Sequence, residues 1–200
     1  MKQLILATKN PGKIHEFKQI MKKYPIEILS LLDLDYEADI EETGITFEEN
    51  ALIKAREIAL KYKTTVVADD SGLEIDALDG APGVYSARYA SVGVERADDD
   101  ANMEKVLLEM RHIDRSERAA RFVCVLAMVD EKGHETIVRG TCEGEIWHTT
   151  RGDNGFGYDP IFYLTEHQLT MAQLSDTEKN KISHRGNAFR ELERVIGERL

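Results

Sequence analysis

The first 68 residues alternate short aliphatic or β-branched runs with segments of helical period, which restricts the chain to an α/β fold with some parallel strand pairing. Gln3–Thr8 reads as a buried strand. Asn10-Pro11-Gly12-Lys13 then opens a helix, with Asn10 as N-cap and Pro11 at the first helical position. Ile14, Phe17, Ile20, Met21 and Tyr24 keep one apolar face until Pro25 stops the helix, and residues 26–31 return as a second strand. Thr46-Phe47-Glu48-Glu49 predicts a capping box, and its helix, running to about Tyr62, buries Ala51, Ala55, Ile58 and Ala59. Residues 64–68 form a third strand ending at Asp69-Asp70-Ser71-Gly72.

Further along, residues 95–111 read as a helix, and 119–130 and 134–142 as a hairpin around Glu131-Lys132-Gly133. Ser183 to about Leu200 reads as a last helix with Ala188, Leu192, Val195 and Ile196 on one side. With 200 residues and no linker or repeat, residues 1–200 are expected to form a single domain. The expected architecture is a mixed, long central sheet flanked by helices, in two lobes with a cleft between them.

Charge and composition narrow the function classes. A net charge of −11 disfavours a nucleic-acid binder, and any polyphosphate must be met by a local basic pocket with a divalent cation. No apolar run approaches a membrane span, and the N-terminal run is too short for a signal peptide, so a cytoplasmic protein is expected. Cys124 and Cys142 lack metal or redox spacing and read as reduced, buried thiols.

Five segments carry candidate chemistry, each with a plainer alternative. Thr8-Lys9-Asn10-Pro11-Gly12-Lys13 joins a strand end to a helix N-terminus, which presents free N–H groups and a lysine to an anion. It is not a Walker loop, and it reads equally as an ordinary turn. Asp69-Asp70 follows a buried strand, where ligands gather in open α/β sheets; Mg²⁺ would offset the repulsion of the two carboxylates, and one could act as a general base. A polar turn is the alternative. Glu41-Glu42 could ligate a metal or merely complement a helix dipole. Arg151–Pro160 sets glycines around Phe156 and Tyr158, which reads as a mobile loop offering a flat face to a base, or as a surface loop. Lys179–Gly186 could donate from Lys179, His184 and Arg185 to phosphate or base, or could simply cap the last helix at Ser183.

Together these motifs resemble the inosine/xanthosine triphosphate pyrophosphatases, the non-standard purine NTP pyrophosphatases of bacteria. The resemblance spans essentially the whole chain. It rests on Thr8-x-Asn10-x-Gly12-Lys13, on Glu42-Thr43-Gly44-x-Thr46-Phe47-x-Glu49-Asn50-Ala51-x-x-Lys54-Ala55, and on Ala68–Leu73, Gly80–Tyr89, Gly155–Phe162 and Ser183–Gly186. Ser91-Val92 departs from the small residue and glycine often found there, and Lys9 fills a variable slot.

The resemblance implies a homodimeric, Mg²⁺-dependent hydrolase that cleaves ITP, dITP and XTP to the monophosphate and pyrophosphate. It places Asp70 as general base, Glu42 and Asp70 as metal ligands with Asp69 close by, and Lys13 and Lys54 as catalytic cations. Thr8, Lys9, Asn10, Pro11, Gly12, Lys13, Lys54 and Ser71 fall at the triphosphate. Phe156, Gly157, Tyr158, Asp159, Lys179, His184 and Arg185 fall at the base. Donors on Arg185 and His184 would suit the 6-oxygen of hypoxanthine and xanthine and leave adenine's amino group mismatched; guanine would be excluded by pocket shape. A pyrophosphatase for another modified nucleotide, or a non-hydrolytic nucleotide sensor, are the rival readings.

Overall fold

The structure, a computed structural model, describes residues 2–91 and 97–196. Among these a seven-stranded mixed sheet runs β2-β1-β3-β4-β5-β6-β7. Its strands are β1 (Lys2–Leu6), β2 (Ile26–Ser30), β3 (Val66–Ile75), β4 (Ala119–Val129), β5 (Glu135–Ile146), β6 (Phe162–Leu164) and β7 (Leu169–Thr170). The helices are α1 (Pro11–Met21), α2 (Phe47–Tyr62), α3 (Asp99–Glu109), α4 (Asp176–Ile182) and α5 (His184–Ile196). β1 pairs in parallel with β2 (Leu4↔Ile28) and with β3 (Ile5↔Val66, Leu6↔Val67). β6 pairs antiparallel with β5 and β7.

The chain divides into two compact units. The first comprises residues 1–70, 124–140 and 185–200; the second comprises 71–123 and 141–184. Each has its own apolar core. In the first, Leu4, Leu6 and Val67 pack with Phe17 and Met21 of α1 and with Ala188, Phe189 and Leu192 of α5. In the second, Leu73, Ile75, Met103, Val106, Phe122, Tyr158 and Phe162 cluster. Both cysteines are buried free thiols.

Several local expectations change. β3 does not stop before Asp69 but continues to Ile75, because Leu73 and Ile75 are fully buried at a two-residue period. The Thr46 side chain accepts from the Glu49 N–H as expected, but the Glu49 carboxylate reaches back to the Ile45 N–H rather than to that of Thr46. The last helical region is two helices, α4 and α5, and Ser183, extended at ψ 156°, stands between them as the C-cap of α4. Phe189 takes the buried place expected of Val195, which is 48% exposed. Val92, residues 95–96 of the expected helix and residues 197–200 lie outside the described residues.

Candidate active site

The first unit builds its polar centre at the strand–helix junction after β1. Thr8 Oγ1 accepts from the Asn10 N–H at 3.1 Å, and Asn10 Oδ1 accepts from the Lys13 N–H at 3.1 Å. This caps α1 and folds Thr8–Lys13 into a turn around the positive end of a helix. The Lys13 ammonium lies 2.5 Å from Asp69 Oδ1. Lys9 turns away: its Nζ donates to the Glu37 and Ala38 carbonyls and to Asp39, so only its backbone is part of the turn.

β1 ends at Leu6, so β3 runs on past it, and Asp69 and Asp70 lie beyond that end. As neighbours on a strand their side chains point to opposite faces, and each face supplies different partners. Asp69, 2% exposed, receives Lys13, the Arg185 Nε at 2.7 Å and the Cys124 thiol at 3.2 Å. Burial alone would raise its pKa, but Arg185 and Lys13 outweigh burial and hold the carboxyl well below the usual range. Arg185 also pairs with Glu16 of α1. Burial, followed by the Asp69 charge, keeps the Cys124 thiol protonated well above its ordinary range.

Asp70 faces α2. Lys54, a buried α2 residue, places its Nζ 2.7 Å from Asp70 Oδ1 and 2.7 Å from Glu42 Oε1. Burial raises the Asp70 pKa more than Lys54 and Lys13 lower it, and Glu42 raises it further. The result is a carboxylate of increased proton affinity beside one of depressed affinity.

The resemblance implies Mg²⁺, and the residues present fit it. Glu42 and Asp70, from two distant segments, already close on a single cation, the Lys54 ammonium. Both are hard oxygen donors. Among the described residues no group of three or more His, Cys, Asp or Glu side chains forms a metal cage. Two converging carboxylates are a donor set of the kind Mg²⁺ takes, since it uses one or two protein carboxylates and completes its shell with water and substrate phosphates.

In the second unit the glycine-rich segment is held down rather than loose. Asp159 Oδ2 accepts from the Phe156 N–H at 3.0 Å and from Lys179 Nζ, whose ammonium lies 4.9 Å from the centroid of the Phe156 ring. The Gly157 N–H donates to Asp99 at 2.8 Å. Gly155 is required: its φ is +79°, and a Cβ there would stand 2.0 Å from Asp159 Oδ2. The Tyr158 side chain is not available to a ligand. It is buried in the core and donates to the Ser86 carbonyl, so Tyr158 can contribute only backbone. His184, 5% exposed, stacks on Phe122 with ring centroids 4.8 Å apart. Ser71 follows Asp70 on β3 and is half-buried.

The carboxylate partners of Arg185 were not foreseen from sequence. Its Nε and one terminal nitrogen engage Asp69 and Glu16, a partnership with no local sequence signal. Glu16, buried on α1, was not foreseen either, since a glutamate between Ile14 and Ile20 carries no sequence sign that it is buried.

Comparison with known proteins adds an independent line. The profile of the Ham1 family matches residues 4–195. A dITP/XTP pyrophosphatase of Bacillus cereus is 52% identical over 200 residues, covering 99% of this chain and 96% of the relative. One of Oceanobacillus iheyensis is 53% identical over 197 residues, covering 98% of each. Among solved structures, the Staphylococcus aureus Ham1 protein superposes with a TM-score of 0.85 at 44% identity, covering 100% of both chains.

Proposed function

The chain belongs to the Ham1 family, and we propose that it hydrolyses deaminated purine nucleoside triphosphates (ITP, dITP and XTP) to the monophosphate and pyrophosphate, with Mg²⁺ as cofactor. Support comes from relatives at about half identity over the whole chain that carry the dITP/XTP pyrophosphatase name. The observation in the molecule that carries the reading is the convergence of Glu42 and Asp70 on the Lys54 ammonium, each 2.7 Å from it, in the same unit as the Lys13 turn.

In this reading water attacks the α-phosphorus, the bond to the bridging oxygen breaks, and pyrophosphate leaves. Asp70 takes the proton; its raised affinity suits a base better than an ordinary aspartate would. Lys13 and Lys54 donate to the oxygens that gain charge on the leaving pyrophosphate. The Thr8–Lys13 turn, at the positive end of α1, and the Ser71 segment hold the phosphates. Glu42 and Asp70 would hold Mg²⁺, which when bound supplies charge stabilisation at phosphate oxygens.

Asp69 we assign to the scaffold of the site rather than to the metal. Its two cationic partners keep it ionised, and it fixes the Lys13 side chain. Phe156 offers the ring face for a base, with Lys179 and Asp159 fixing its loop. Arg185, whose Nε and one terminal nitrogen already engage Asp69 and Glu16, would donate to a purine 6-oxygen from its terminal N–H groups. The same reading includes a cytoplasmic homodimer.

The test is a panel of inosine, xanthosine, guanosine and adenosine triphosphates, assayed for phosphate with and without added inorganic pyrophosphatase. Turnover of inosine and xanthosine triphosphates, visible only with the auxiliary enzyme, is expected. Direct release of orthophosphate, or binding with no turnover, overturns the proposal.

A further inference from the structure

We propose that Asn50 is a positioning residue that sets Glu42 for metal binding; this rests on the assignment of Glu42 as a metal ligand. Asn50 and Lys54 lie four residues apart on α2, hence on one face of the helix. Both grip the segment that precedes the helix. Lys54 holds Glu42 at 2.7 Å, and Asn50 Oδ1 accepts from the Gly44 N–H at 2.8 Å.

The joint is tight. A Cβ at Gly44 would stand 2.7 Å from Asn50 Oδ1 and 2.6 Å from the Glu49 Cβ, so the backbone passes α2 closer than any side chain allows. The Ile45 N–H is held one residue on by Glu49 at 2.7 Å. Two consecutive N–H groups, only two and three residues after Glu42, are thus fastened to the first turn of α2.

The orientation of the amide is fixed by chemistry. Only its oxygen can face the Gly44 N–H, which leaves Nδ2, fully buried, without a partner. An unsatisfied buried donor is a standing cost that a leucine or alanine would avoid. Neither could accept from Gly44. The side chain is therefore accounted for by the acceptor it gives to the Glu42 segment and not by core packing.

Asn50→Ala, Asn50→Asp, Gly44→Ala and Glu42→Gln are compared in the full-length protein. One readout is the Mg²⁺ concentration for half-maximal turnover of inosine triphosphate, with kcat at saturating metal. The other is amide hydrogen exchange of residues 42–46 without metal. Asn50→Ala should raise the half-saturating Mg²⁺ by about 10–100-fold, as loss of a ligand's supporting hydrogen bond does elsewhere, with kcat at saturation retained. Exchange at 42–46 should accelerate while β1 and β3 stay protected. Asn50→Asp, which keeps the acceptor, should restore slow exchange, and Gly44→Ala, which forces the backbone away from Asn50 Oδ1 while leaving that residue in place, should reproduce the Asn50→Ala defect. Unchanged Mg²⁺ dependence in both Asn50→Ala and Gly44→Ala, beside a shifted Glu42→Gln, overturns the proposal alone. So does a loss of kcat with faster exchange throughout, which marks a merely structural residue. An unshifted Glu42→Gln instead overturns the metal assignment beneath it, and the exchange data then still decide whether Asn50 fixes the segment.

Discussion

Each unit buries a lysine against an aspartate, and the two pairs are built for different ends. In the second unit Lys179 meets Asp159, and the same carboxylate takes the Phe156 N–H, so the pair acts as a clasp on a glycine-bearing loop. In the first, Lys54 meets Asp70 but must also serve Glu42. One ammonium between two carboxylates, on the face of β3 where Asp70 carries a raised pKa, is a different arrangement from a clasp, and in the proposed reading it is where a cation would be received.

The sharpest way to break the contrast is Asp70→Asn. If Asp70 is the base, turnover falls by about 10²–10⁴-fold, the usual span for a general base, while nucleotide binding by calorimetry persists. Near-normal turnover would remove Asp70 from the chemistry and leave its pair with Lys54 no different in kind from the clasp.

Asp69→Asn tests the other half of the same strand. It leaves Arg185 and Lys13 facing a neutral amide in a buried setting, which should cost about 3–5 kcal/mol in urea unfolding at neutral pH. The sign with pH is fixed by the depressed carboxyl of Asp69. Its contribution is fully present above the ordinary carboxylate range and is lost as pH falls through the lower folded value. The stability curves of wild type and Asp69→Asn should therefore converge in acid. A gap that stays constant to low pH would mean the network does not depend on that charge.

These contrasts show how far residues alone carried the reading. The strand–helix alternation and the Asn10 and Thr46 caps were legible, because each is written in neighbouring residues or in one period. The extension of β3 was legible too, in the alternation of Leu73 and Ile75, but the acidic pair before Gly72 read as an end. Likewise Ser175 and Glu178 form a capping box that announces α4. What sequence could not show is which cation each carboxylate meets. Arg185 and Asp69 are 116 residues apart, and Lys179 and Asp159 are 20 apart, so only tertiary packing brings them together. The same holds for Tyr158: an aromatic among glycines looks like an exposed platform, yet its ring is core and its hydroxyl is satisfied by Ser86.

The clasp itself can be sharpened by a double-mutant cycle. Lys179→Met and Asp159→Asn each break a buried pair, and each should lower stability by about 3–5 kcal/mol. The double variant should cost less than the sum by about 1–3 kcal/mol. Additive losses would dissolve the clasp.

The smallest effect is expected at Lys9, and it separates charge from backbone in the phosphate turn. Lys9 has the sequence position of a phosphate ligand, but its ammonium serves the 37–39 segment, with side chains 33% and 96% exposed in the pair with Asp39. Lys9→Ala should change stability by less than about 1 kcal/mol, as exposed pairs do. The turn itself is held by hydrogen bonds of Thr8 and Asn10 and not by the Lys9 ammonium, so KM for inosine triphosphate should stay within about twofold, the margin of a surface substitution. Lys13 differs by one feature only: its ammonium is turned inward onto Asp69. A KM raised tenfold by Lys9→Ala would mean that the outward lysine leaves the 37–39 segment for the phosphates, and that the turn binds with two charges instead of one.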